Sequence, residues 1–167
     1  MVRINIARLK EGKHDFRLTP SAEAVELKPE EFEHIEVHVQ LDYRGEKIFV
    51  ALEASAVATL ECDRTLQLFQ QPVSGTYQLL FAPPGFVGKI GEEWEEIRPF
   101  TPEEREIDLT DVVRDTLLLA LPMRRIAPGA EDMEIPLQFG APSEEEDMVD
   151  PRWAALLKLK KQDPENL

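Results

Sequence analysis

One cysteine, Cys62, in 167 residues leaves no partner for an internal disulfide and supplies at most one ligand of a structural zinc site. That scarcity suits a reducing compartment. No run approaches the roughly 20 consecutive apolar residues of a membrane-spanning helix, and the opening MVRINIARLK shows no signal-peptide pattern. The expectation is a cytoplasmic protein with no membrane partner. Basic residues are scarce as well: 19 Lys and Arg face 33 Asp and Glu, a formal net charge of -14. Nucleic-acid affinity depends largely on cations that displace counterions from phosphate, so this chain on average repels RNA.

The charge it does carry is unevenly placed. Residues 1–20 hold five Lys/Arg against two acids, 127–150 hold eight acids and no base, and 151–167 hold four bases against two acids. Such asymmetry fits a protein that meets a basic partner with its acidic side, or that reaches RNA only with its ends. The apolar share, 43%, suffices for one core without metals or disulfides.

Hydrophobic alternation marks the strands. Val2, Ile4 and Ile6, then Leu9, predict a strand near residues 2–9. Pro20 and Pro29 bracket a connector with room for one helical turn. Ile35, Val37, Val39 and Leu41 alternate with His34, Glu36, His38 and Gln40, the period of a half-buried strand, and Gly45 follows in a turn. The run KIFVALEASAVATLEC returns antiparallel to it, and Asp63 and Arg64 mark the next turn. TLQLFQQPVSGTYQLLF reads as a further strand, with a bulge or an edge position expected near Pro72 and Gly75. Residues 83–106, rich in Pro, Gly and Glu, read as a surface loop that buries little of itself.

Asp108 caps a predicted helix whose apolar residues Leu109, Val112, Val113, Leu117, Ala120 and Leu121 recur at three and four, and Pro122 ends it. Its last turn, apolar all round, is expected to be buried. EIPLQFG offers one further strand, and Asp150-Pro151 opens a short amphipathic helix whose lysines complement its dipole.

Candidate chemistry is sparse. His34, Glu36 and His38 share one face of a predicted strand, yet same-face neighbours stand about 7 Å apart, and a solvated face accounts for them better than a metal site. Cys62 has only Arg64 nearby to activate it, so a packed thiol is the better reading. Gly85, Gly88 and Gly91 fall outside any phosphate-loop pattern, since Ile90 follows Gly88-Lys89. Carboxylates are too numerous for any pair to be informative. More promising is a basic and aromatic set, Arg124, Arg125, Arg152, Trp153, Lys158, Lys160 and Lys161, which would touch RNA phosphates and stack on a base if the ends converge. The ordinary alternative is that Trp153 anchors its helix and the lysines are merely solvated.

Three segments, ATLECDRTLQLFQQPVSGTYQLLF, EIDLTDVVRDTLLLALPMRRI and DPRWAALLKLK, together resemble the YceD family of large ribosomal RNA subunit accumulation proteins. Cys62 and Arg64 match the family's Cys-x-Arg-Cys turn, with Thr65 where the second cysteine would stand. Asp108, Leu109, Val113, Arg114, Leu118, Ala120, Leu121 and Pro122 keep the order of its helix motif, and Asp150-Pro151-Arg152 resembles its tail. Many members carry further cysteines after the Leu-Pro motif; APGAEDMEIPLQFGAP stands there instead, so no metal is carried over. The resemblance implies a non-enzymatic role in accumulation, processing or stability of large-subunit (23S) ribosomal RNA, with no catalytic residues and no cofactor.

Together these readings predict an α+β fold: an antiparallel sheet or partly open barrel of about five or six strands, with one buried helix and a C-terminal helix. Residues 1–126 form a single β-rich domain that includes the helix at 108–121; 127–149 form an acidic, partly ordered segment; 150–162 form the C-terminal helix. The expected partner is a large-subunit ribosomal protein or assembly factor, with ribosomal RNA contact confined to the basic ends. The rival readings are an RNA-processing enzyme acting on ribosomal precursor, which needs a convergent polar pocket, and a purely protein-binding adaptor.

Overall fold

Strict apolar alternation along two long runs decides the architecture, because a strand whose every second residue is apolar has one face to bury. The computed structural model describes residues 1–86, 96–101 and 103–131. Four strands form an antiparallel meander: β2 (Gly12–Leu18), β3 (Phe32–Arg44), β4 (Lys47–Glu61) and β5 (Leu68–Ala82), preceded in the chain by the short β1 (Arg3–Asn5). Gly45, at φ +61, lies in the two-residue connection between β3 and β4, where Arg44 pairs with Lys47. The pleat sends Val37, Val39 and Leu41 of β3 and Ile48, Val50, Leu52 and Ala54 of β4 into one core. Their intervening neighbours, among them Gln40 and Glu53, face the open side.

The sheet is mixed and open. β6 (Glu96–Pro99) runs parallel to β5, against the all-antiparallel expectation, and the order β2-β3-β4-β5-β6 leaves β2 and β6 at opposite edges with no barrel closed between them. β1 pairs instead with β7 (Glu106–Asp108) in a separate two-stranded sheet. Within the stretch read as a loop, β6 and the buried Phe100 join the fold, and the Phe100 amide donates to the Ala82 carbonyl at 2.8 Å. The connector between Pro20 and Pro29 holds one 3-10 turn, Glu23–Val25.

A single helix among the described residues, α1 (Thr110–Leu119), packs its Val112, Val113, Thr116 and Leu117 on the core face of β4 and β5. Gly75 allows that approach: a Cβ there would stand 2.8 Å from Thr116 Cγ2 and 3.1 Å from the Thr116 carbonyl oxygen. β5 keeps unbroken register through Pro72 and Gly75, so no bulge occurs at either. Proline fits because β6 pairs with β5 only from Leu79 to Ala82, leaving Pro72 on an edge among the described residues. The bulge lies in β3 between Glu33 and Glu36, where His34 takes φ +52 and is displaced from the row of Glu36 and His38.

Two details of the helix differ from expectation. Asp108 ends β7, and its carboxylate accepts the Thr110 amide at 2.9 Å while Leu109 occupies the cap position. The last turn is not buried: Leu117 is, but Leu118 and Leu119 face outward, because the sheet covers only one side of α1. At its first turn Arg98 of β6 grips Asp111 with both terminal nitrogens, at 3.0 and 2.7 Å, and holds Glu96 through Nε at 2.8 Å. Glu96 in turn accepts from Tyr77.

Candidate partner interface at the β4–β5 loop

The six residues that join β4 to β5 form a loop fixed by its own backbone. The Leu66 amide donates to the Cys62 carbonyl, and the Cys62 amide to that of Gln67, each at 2.9 Å. This geometry forces Leu66 to φ +57, a left-handed conformation that costs a branched residue about 1–2 kcal/mol.

The chain after α1 is stitched to this loop. The Asp63 amide donates to the Arg125 carbonyl at 2.7 Å, and the Arg125 amide donates back to the Asp63 carboxylate at 2.8 Å. Arg64 reaches the carbonyls of Ala130 and Glu131 at 3.2 and 2.6 Å. The Ala127 amide donates to Cys62 Sγ at 3.3 Å. That bond, then one from the Thr65 hydroxyl, pulls the Cys62 thiol from an ordinary 9.0 down to about 7, against the opposing push of burial. Cys62 is nonetheless fully buried, which supports the packed-thiol reading. Its sulfur is surrounded by N–H and O–H donors, and no group of three His, Cys, Asp or Glu side chains converges among the described residues. The donor set does not suit a metal.

Apolar side chains stand exposed on this loop, at the end of α1 and just beyond it. Leu66 is 72% exposed, Leu68 71%, Leu119 82%, and Met123 wholly so. Covering the two loop leucines, Leu66 and Leu68, would contribute on the order of 2–4 kcal/mol before the roughly 4–15 kcal/mol cost of association. Apolar burial alone would therefore give weak binding, and charge must contribute to any tight complex. Leu68 and Leu121 line one groove of about 410 Å³ with Glu30, Glu31, Phe32, Glu61 and Arg125.

Of the residues singled out from sequence, Arg124 and Arg125 are exposed beside this loop, with the Arg125 backbone clamped by Asp63. Arg152, Trp153, Lys158, Lys160 and Lys161 lie outside the described residues, as do EIPLQFG and the predicted C-terminal helix. Sequence reasoning missed Leu66 and Leu68; the one available signal was a pair of leucines directly after the polar turn Asp63-Arg64-Thr65.

Within this open-sheet α+β architecture, the stitched loop and α1 fall in the part of the chain that matches a family model. Residues 50–160 match the family model described as "Large ribosomal RNA subunit accumulation protein YceD". The chain belongs to the YceD family. It is also 26% identical over 138 residues to "Uncharacterized protein YlbN" of Bacillus subtilis (strain 168), covering 79% of this chain and 77% of that protein. No solved structure matches. The family's description refers to accumulation of large-subunit ribosomal RNA and names no reaction. No helix among the described residues is long and apolar enough to cross a membrane.

Proposed function

We propose that this chain is a non-catalytic ribosome-biogenesis factor that supports accumulation of large-subunit (23S) ribosomal RNA by binding a basic large-subunit ribosomal protein or assembly factor. The observation that carries this reading is an exposed apolar surface at the β4–β5 loop, inside the stretch that matches the family model. A net charge of -14 favours a basic protein as partner, since opposite charge speeds encounter. It also explains how an RNA-related protein can be so acidic: the acids stand in for phosphate toward a ribosomal protein awaiting its RNA. Contact with precursor RNA, where it occurs, falls to Arg124 and Arg125 and to the basic residues near the C-terminus.

A tagged pull-down at two salt concentrations, with and without RNase, tests the reading. A basic large-subunit protein should be recovered, should survive RNase and should diminish with salt. Recovery of ribosomal RNA alone, abolished by RNase, would overturn the protein-partner assignment.

A further inference from the structure

Resting on that reading, we propose that the groove between Leu68 and Leu121 is the seat of the partner, and that it receives an amphipathic segment presenting apolar and basic side chains together. The exposed Leu68 and the half-buried Leu121 both line this groove, so it already offers apolar surface. Its charged rim consists of Glu30, Glu31 and Glu61 against Arg125. Lys28 is taken up by Glu31 at 2.7 Å, while Glu30 and Glu61 hold no ion pair among the described residues. An incoming lysine or arginine would find carboxylates beside apolar surface in one groove.

The same charges decide against other occupants. Phosphate would face three carboxylates at close range. A second copy docked by two-fold symmetry would set like acids against like, at -14 on each chain. A basic amphipathic segment meets neither objection, and burying its leucines against Leu68 and Leu121 supplies what the ionic contacts lack.

The test uses the full chain and three synthetic helical peptides: one of leucine and lysine with the leucines on one face, one with glutamate replacing lysine, and one with serine replacing leucine. The leucine–lysine peptide should bind at least about tenfold more tightly than either other, an interval large enough to resolve by titration. Leu68→Ser should weaken it by about the same factor. A Glu30→Gln/Glu61→Gln variant should weaken it and flatten its salt dependence, while Gln78→Ser on the open sheet face should change nothing. All these side chains are exposed, so the variants should keep the parent melting temperature. Unchanged affinity in Leu68→Ser and in the double glutamine variant would overturn the assignment, as would equal binding of all three peptides. Complementation separates this proposal from the one beneath it. If deleting the gene lowers large-subunit RNA and Leu68→Ser restores it fully, the groove assignment fails and the function stands. If deletion leaves that RNA unchanged, the function itself fails.

Discussion

Replacing Gly75 by alanine isolates the close approach of helix to sheet on which the fold depends. Gly75 has ordinary strand dihedrals, so alanine carries no backbone strain there and would by itself gain about 0.5–1 kcal/mol from the stiffer unfolded chain. Against this, its Cβ would lie 2.8 Å from Thr116 Cγ2 and 3.1 Å from the Thr116 carbonyl oxygen. Thr116 cannot easily rotate away, because its hydroxyl donates to the Val112 carbonyl at 2.7 Å and the residue is buried. The helix must shift, at an overpacking cost of about 1–3 kcal/mol. The balance is a loss of about 1–2 kcal/mol, or roughly 3–8 °C in Tm for a domain of this size. Thr116→Ser removes the offending methyl, keeps the hydroxyl, and alone should cost about 1 kcal/mol. In the double variant the alanine methyl occupies the vacated space, so the two losses should fall short of additivity by about 1 kcal/mol. Thermal and urea unfolding of the four proteins would measure this. A Gly75→Ala protein as stable as the parent, or strictly additive losses, would refute the packing argument.

Three further outcomes follow from the same contacts. Arg98→Met should cost about 1 kcal/mol after allowance for solvent screening, and it should also change the acid limb of stability. The hydrogen bond from Arg98 holds the Asp111 carboxyl below its ordinary 3.8, so that stabilisation is complete above pH 3.8 and is lost as pH falls through the lower folded value; urea midpoints against pH should show the loss in the parent and a flatter limb in the variant. Leu66→Asn relieves the left-handed leucine and should raise stability by about 0.5–1 kcal/mol, read as a higher melting temperature; an unchanged or lower one would contradict the strain at this position. Because the folded Cys62 thiol sits near 7 against an ordinary 9.0, stability should rise as pH passes from about 7 toward 9, and Thr65→Val should reduce that rise; a bulky thiol reagent should still modify Cys62 only on unfolding.

How much of this was legible in the sequence depended on how strongly each strand is buried. β3 and β4 announce themselves because nearly every second residue is a fully buried Val, Leu, Ile or Ala. β2 went unread: Gly-Lys-His-Asp-Phe-Arg-Leu is an edge strand whose inward row includes His14, so only Phe16 and Leu18 signal the period. β6 and β7 are four and three residues long, too short for any period to register, and β7 is defined by its pairing with β1 about a hundred residues earlier in the chain. Gly75 suggested a bulge, whereas its purpose lies in the third dimension, beneath Thr116. The apolar end of α1 suggested burial, yet Leu118 and Leu119 lie on the side of the helix that the sheet does not cover. At the candidate interface, Arg124 and Arg125 were visible as charge, but the tie that places them passes through the Arg125 backbone and Asp63, a contact that no local pattern encodes.

Whether this chain supports large-subunit RNA is decided by the ratio of large- to small-subunit ribosomal RNA, measured after deletion of the gene and after its restoration. The ratio should fall on deletion, recover with the parent chain and recover incompletely with Leu68→Ser. A ratio unchanged by deletion would contradict that role.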